Sequence, residues 1–509
     1  MARLGPHHIH CIDPRTGVEA GDIACTPLAD IPALATRART AQRSWAATSL
    51  AQRKKVVEAW KNAILARAAD VAALLVAEIG KPEAEAWSSE ILTAGELFDG
   101  WLANIDDLLA PQPVDLNPVN YPGKEVVVSA QARGLIGMIM PWNYPFHLPL
   151  RTMVPALLAG NAVIWKPSEH AARVGALLGE IAASVLPADL LVTVQGAGEQ
   201  GVALIDAGVD RVVFTGSVAT GRKVAQRAAG LGVECSLELG SKDAAIVLKD
   251  APLDRTVHGL VWGAFHNAGQ DCAAVERVYV ERPLYEAFLQ KVVETTKALR
   301  PGVDLGPLIT REARSRVEGR IHEAVKAGAT LHCGGVPWGE GFGLMPAVLS
   351  GVPEDSALMV EETFGPVMPI LPFDREEEVV EKVNGSPFGL CASVWTKDHR
   401  RGLALLDRLD VGSTFLNNCC FTGPMAMAAW SGRRHSGAGV TGSKWCLDGL
   451  TMPHTRVIDR SGATKEMWWY PYTDAFTGMA LGLVELGRRG GAKLQGIRLV
   501  LSGLLGRWK

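Results

Sequence analysis

No Cys-x-x-Cys pair occurs in this sequence, nor any Cys/His cluster at metal-ligand spacing. Its nine cysteines therefore outline neither a zinc site nor a redox dithiol, and no metal site is expected. An odd, scattered set also argues against a disulfide framework and for a reducing compartment with mostly buried thiols. Excess basic charge is missing too: the net charge is −3, which argues against a nucleic-acid partner. No window holds eighteen uninterrupted apolar residues, so no membrane-spanning helix is expected. The opening MARLGPHHIHCIDP has no apolar core of the secretory type. These absences together point to a cytoplasmic protein. Internal repeats and low-complexity tracts are absent as well.

What is present is a chain of 509 residues, 48% hydrophobic and 21% charged, long enough for two to four domains with ample core. Residues 41–79 carry apolar side chains at helical spacing and stop at Gly80, before Lys81-Pro82. A second helical stretch follows over 83–109, ended by Pro111, Pro113 and Pro118. Residues 125–140 read as two β-rich runs around a polar turn. From 149 to 214, helices alternate with short apolar strands at 162–167, 191–196 and 211–216. Strands at 243–250 and 276–281 open a second α/β unit that runs to about Asn418. Such alternation predicts an α/β fold with parallel sheets covered by helices.

Seven segments are candidates for chemistry. Cys272 ends NAGQDC, at a loop-to-strand junction where a thiolate meets a carbonyl carbon; a lone cysteine is otherwise more often core. Glu238 lies 34 positions upstream in LELGSK. A carboxylate in an apolar run is either a salt-bridged core residue or a general base with a raised pKa. Asn143 in PWNYPF is held between prolines, suited to an oxyanion donor, although a bare Asn-Tyr is as well read as a turn. Lys166 and Glu169 in WKPSE follow a strand where an α/β sheet turns into a helix and dinucleotides bind; a Ser168 helix cap among surface charges is the plainer alternative. GAGEQG, with Gly198, fits GxGxxG only weakly, since no acidic residue follows at the usual distance. FTGS, with Phe214, Gly216 and Ser217, is the better phosphate site, a strand end opening a helix. Glu362 precedes a Phe364-Gly-Pro turn in EETFGPV, where it can hold a ribose or be a solvated loop charge.

In this order and spacing, PWNYPF, WKPSE, FTGS, LELGSK, GQDC and EETFGPV resemble the aldehyde dehydrogenase superfamily over residues 13–456. The resemblance implies that Cys272 attacks the aldehyde, that Asn143 and the Cys272 amide hold the oxyanion, and that hydride passes to a nicotinamide. Glu238 then activates water to hydrolyse the thioester. Pro141, Trp142, Lys166, Glu169, Gly198, Phe214, Gly216, Ser217, Leu239, Glu362 and Phe364 are implied cofactor contacts. Glu169 leans the choice toward NAD, with NADP as the alternative.

The implied fold has two doubly wound α/β domains plus a β oligomerisation hairpin. The cofactor domain is expected at 1–118 and 134–240, the catalytic domain at 241–425, oligomerisation elements at 119–133 and 426–460, and an extension at 461–509. Within these elements the hairpin lies at about 119–133, joined by a strand near 451–458, and makes a homodimer or homotetramer.

Departures from the family pattern are Ser241 for a glycine, His147 after PWNYPF, and AWSGRRHSGAG late in the chain. GQDCAAVERVYV resembles a divergent branch of the family. Aromatics at Phe146, Trp262, Phe265 and 415–421 suggest a tunnel for an apolar or medium-chain aldehyde. From Ala475 on, the tail carries Arg488, Arg489, Lys493, Arg498, Arg507 and Lys509 against Glu485. It reads either as helices docked on protein or as a peripheral membrane contact. Two other functions stay open: a CoA-acylating enzyme, disfavoured by Glu238, and an inactive family member acting as a binding or membrane-associated protein, disfavoured because both Cys272 and Glu238 are present.

Overall fold

The computed structural model describes residues 3–5, 7–118, 120–420, 425–462, 464–466, 468–488 and 490–506. These form two compact units, one of residues 1–110 and 130–453, the other of residues 111–129 and 454–509.

In the first unit the helices begin where local chemistry allows. Ser49 caps Leu50–Ala66 in a reciprocal box with Gln52, satisfying two otherwise orphaned N–H groups. Val57, Trp60 and Ile64 then recur on one face and are fully buried, as helical periodicity demands. Ala68–Glu78 continues the series up to Gly80. The stretch over 83–109 is helical with a π-type turn at Ala86–Leu92. That turn carries Ser88 and Ser89, and π turns concentrate at functional sites.

Among the described residues this unit holds a six-stranded and a seven-stranded sheet. The first runs Gly437–Ala438, Glu234–Glu238, Arg211–Thr215, Leu135–Ile139, Ala162–Lys166, Leu191–Thr193. All neighbours in it are parallel except the two-residue edge. The second runs Thr330–Cys333, Ala347–Ser350, Val367–Phe373, Arg277–Glu281, Ala244–Val247, Cys391–Trp395, Ser413–Leu416, antiparallel only at its first pair. Its central strands are buried along nearly their whole length, the reading expected of strands covered on both faces.

The strands predicted at 162–167, 191–196, 211–216, 243–250 and 276–281 are all present, shorter at their ends. Carboxyl ends of the parallel strands in the first sheet carry Ile139, Lys166, Thr215 and Glu238, the edge at which open α/β sheets bind ligands. Residues 239–243 then lead directly into the second sheet.

The second unit has a three-stranded sheet in the order Thr451–Asp459, Lys124–Ala132, Gln112–Val114. The strand read near 451–458 thus lies beside the one read within 125–140; Val119 lies outside the described residues. The unit continues into two helices, Asp474–Gly487 and Lys493–Gly506. Among the described residues no helix is long and apolar enough to cross a membrane.

Candidate active site

Two hollows of the first unit meet at Cys272. A cavity of about 240 Å³ is lined by Ser88, Tyr144, His147, Arg151, Trp262 and Trp430 among others. A cleft of about 300 Å³ is lined by Pro141, Trp142, Asn143, Leu239, Glu362 and Phe364 among others. Thr215, Glu238 and Cys272 line both.

Cys272 reaches this junction through a backbone most residues avoid. Asn267, Ala268 and Gly269 all have positive φ, at 51°, 56° and 69°. A Cβ on Gly269 would sit 2.4 Å from the Gly365 carbonyl oxygen, so that position takes no larger residue. Gln270 pins the turn, donating to the carbonyls of Asn267 (3.0 Å) and Pro307 (3.3 Å) and accepting from the Ile309 amide at 2.9 Å. Ser241, the departure from the family glycine, donates its hydroxyl to the Cys272 carbonyl. The hydroxyl therefore ties the Cys272 backbone to the loop that follows Glu238. Burial and the carboxylates of Asp271, Glu238 and Glu362 push the Cys272 thiol well above its usual range. The resting group is a thiol and needs a base to become a nucleophile.

Glu238 ends its strand opposite Thr215. Burial raises its carboxyl to about 7, opposed by the nearby Arg151 guanidinium and by hydrogen bonds from Thr441 (3.1 Å) and Trp430. A carboxyl balanced near neutrality takes up and returns protons readily. Arg151 is buried on the helix His147–Leu158, and its Nε and Nη2 have no hydrogen-bond partner among the described residues. Arg151→Met removes the cation that favours the ionised carboxylate, so the Glu238 pKa rises. The acidic limb of the rate profile, where activity grows as pH rises through about 7, is expected to move by roughly one unit to higher pH, measured as kcat against pH. A limb that stays in place overturns this coupling.

Asn143 is buried and donates one amide hydrogen to the Gln270 carbonyl at 3.1 Å, while its own carbonyl accepts from Asn267 at 3.0 Å. An amide side chain carries a second N–H besides the one given to Gln270. Beside it, the Tyr144 hydroxyl donates to Asp271 at 2.9 Å. The Tyr144 hydroxyl therefore accepts from His266 Nδ1, also at 2.9 Å. Burial and the Lys81 cation hold the His266 pKa down to about 3, so its ring is neutral.

In the cleft, Glu276 accepts from the amides of Thr363 and Phe364 and from Lys242 at 2.6 Å. This holds the EETFGPV turn, in which Phe364 has φ of 51°. Trp142 meets Phe364 edge to face at 5.6 Å. Glu362 accepts from the Ser241 amide at 3.0 Å, and burial with the neighbouring Glu276 lifts it to about 7. A Cβ on Gly240 would lie 2.3 Å from a Glu362 oxygen. Gly240→Ala is expected to push that carboxylate out of the cleft and weaken cofactor binding about tenfold, read from quenching of tryptophan fluorescence; unchanged affinity removes Glu362 from cofactor binding. Ser217 caps the helix Val218–Gly230 by accepting from Thr220, leaving its first amides at the cleft.

Four implied cofactor residues lie outside this lining. Lys166 is buried, donating to the carbonyls of Pro167 (2.8 Å) and Gly196 (2.9 Å), and stands 3.6 Å from Glu169. Phe214 packs beneath Gly216. Gly198 opens the helix Gly198–Asp206. Of the aromatics read as tunnel walls, Trp262 lines the cavity, whereas Phe146 and Phe265 are buried in the core; Phe421 lies outside the described residues. Sequence reasoning missed Arg151, Thr215, Gly240 and Arg316 as lining residues. It also missed the buried Lys81 and Glu90 and the half-buried Glu85. Lys81 lies over the Tyr144 ring, Glu85 accepts from the Asn267 amide, and Glu90 accepts from the amides of Phe146 and His147. Among the described residues no His/Cys/Asp/Glu cluster suits a metal ion.

Residues 3–455 match the model of the aldehyde dehydrogenase family. Over 470 residues the chain is 33% identical to 4,4'-diapolycopene aldehyde oxidase of Methylomonas sp., covering 91% of this chain and 88% of that protein. It is 31% identical over 449 residues to a probable succinate-semialdehyde dehydrogenase [NADP(+)] of Sinorhizobium fredii, covering 86% and 90%. A solved putative aldehyde dehydrogenase, PutA from Anabaena variabilis, superposes with a TM-score of 0.86 at 33% identity, covering 91% of this chain and all of that one.

Proposed function

The chain belongs to the aldehyde dehydrogenase family and oxidises an aldehyde with NAD(P), and within that activity we propose the roles of its own residues. The junction of cavity and cleft at Cys272 carries the reading. Cys272 is the nucleophile: its S–H proton passes to water as its sulfur adds to the aldehyde carbon and the carbonyl electron pair moves onto oxygen, giving a thiohemiacetal. The second N–H of Asn143 and the Cys272 amide hold the developing oxyanion.

The cleft fits a dinucleotide. It has a helix N-terminus at Ser217 for phosphate, a half-buried carboxylate at Glu362 for a ribose, and the close approach that Gly240 allows. Pro141, Trp142, Gly216, Leu239 and Phe364 complete its walls, with Lys166, Glu169, Gly198 and Phe214 supporting it from the adjoining strand and helix ends. When bound, the nicotinamide supplies the hydride acceptor that the oxidation needs. Glu238 then takes a proton from water, whose oxygen adds to the thioester carbon; the C–S bond breaks and the acid leaves.

NAD is the preferred cofactor through Glu169, with NADP as the alternative. Aromatic side chains Tyr144, Trp262 and Trp430 favour an apolar aldehyde. The domains are those outlined from the motifs: cofactor binding at 1–118 and 134–240, catalysis at 241–425, oligomerisation elements at 119–133 and 426–460, and the extension at 461–509. The enzyme is a cytoplasmic homodimer or homotetramer, and its tail makes a peripheral membrane contact. Reduced-cofactor absorbance against an aldehyde panel, with NAD and with NADP, tests the reading. Thiol-dependent turnover supports it. No turnover without CoA and turnover with it would replace hydrolysis by acyl transfer.

A further inference from the structure

The tail helices turn their apolar side chains the wrong way for a water-facing hairpin. An ordinary amphipathic pair buries its leucines in the seam. Here Gly482, Gly496 and Gly503 are in the seam with Met479, and all four are buried. A Cβ on Gly482 would stand 2.6 Å from the Gly496 carbonyl oxygen, and one on Gly503 2.6 Å from Met479 Cβ, so the two backbones touch through glycine. Leu486 and Leu499 join the glycines in the seam, but most of the large side chains face out: Leu481, Val484, Leu494, Ile497, Leu501 and Leu505 are all exposed, Leu494 by 86% and Leu505 by 72%. Glycine between helices and leucine outside is the arrangement of helices packed in lipid, where neighbouring apolar surface carries no penalty.

Charge completes the picture. From Ala475 on there are six basic side chains against one acidic one, in a chain whose net charge is −3. Of the described basic residues, Arg488 and Lys493 lie at the turn between the helices, and Arg498 lies on the same helical face as Leu494, Leu501 and Leu505, where a long cationic side chain reaches the headgroups from an apolar face. Ahead of the hairpin, Trp468, Trp469, Tyr470 and Tyr472 are exposed, the residue types that settle at the headgroup level. Each helix has 14 residues, about 21 Å of helix and too short to span.

We propose that residues 474–506 form a monotopic hairpin that sinks its leucine faces into one leaflet of an anionic phospholipid bilayer. This deepens the peripheral contact assigned above, and salt separates the two. Full-length enzyme is floated with vesicles of phosphatidylcholine containing about one third phosphatidylserine, at low salt and at about 1 M NaCl. Flotation that survives high salt is expected. The combined variant Leu494→Glu, Leu501→Glu, Leu505→Glu is expected to float about tenfold less or worse, with turnover of a soluble aldehyde unchanged as the check on folding. Wild-type flotation abolished by salt overturns insertion and leaves surface attraction. No flotation in either condition overturns both. A triple variant that floats like wild type removes the leucine faces from the contact. A triple variant that falls apart into smaller assemblies, while wild type fails to float, assigns those faces to a second copy of the chain.

Discussion

Cys272→Ala is expected to lower kcat/KM for any aldehyde substrate by about 10⁴-fold or more, with cofactor affinity held within about twofold. The cavity holds a second thiol, Cys420, so the assignment has a competitor. Cys420 points away from the role: its Sγ is engaged, donating to the Ala273 carbonyl at 2.8 Å. Cys420→Ala is therefore expected to keep near-normal turnover. Alkylation by iodoacetamide, mapped by mass spectrometry, should fall first on Cys272. Turnover that survives loss of Cys272 and vanishes with Cys420 would reverse the two.

Glu238→Gln is expected to cut steady-state turnover by about 10²- to 10⁴-fold while a first burst of reduced cofactor, close to one per site, remains. The amide keeps the shape of the side chain and loses the ability to accept a proton from water. Acylation still runs and deacylation stalls, so the thioester accumulates and is trapped by acid quench. Hydroxylamine, a nucleophile that needs no base, should restore release. Absence of any burst would put Glu238 ahead of the thioester and sink this role. In the native enzyme the carboxyl titrates at about 7 because burial disfavours its charge. On the proposed role, hydrolysis is expected to gain as pH rises through 7 and to fade below it.

The parts of this site that were legible in the sequence sit on backbone with few choices. NAGQDC needs left-handed residues and a pinned Gln270, PWNYPF is braced by prolines, and LELGSK must pass Gly240 beneath Glu362. Such segments look unusual even out of context. Arg151, Arg316, Glu85 and Glu90 were not legible, because a charge on a helix reads as a solvated face, and Lys81 was not, because a lysine between a helix-ending glycine and a proline reads as a solvated turn. Only the fold shows that Arg151 is buried beside Glu238, or that Lys81 stands 3.4 Å from Glu90 with neither side chain exposed. GAGEQG fitted its pattern, yet Gly198 begins a helix outside the cleft lining, because a short glycine pattern records a turn and not its surroundings. The strand and helix series was readable from periodicity. The glycine seam of the tail was not, since apolar residues in a helix do not say whether they face protein or lipid.

The hollows share Thr215, Glu238 and Cys272, and the rest of their linings differ. That division makes the site modular. On the proposed assignment of the cavity to the aldehyde and the cleft to the dinucleotide, Ser88, Ser89, Trp262 and Trp430 can drift to suit a new aldehyde without disturbing the grip on the dinucleotide, because each lines the cavity and not the cleft. The three shared residues have no such freedom, since any change there is felt by both ligands at once. Selection acting on substrate range therefore has a wall to work on that is insulated from the redox machinery, and the chemistry travels unchanged as the diet changes.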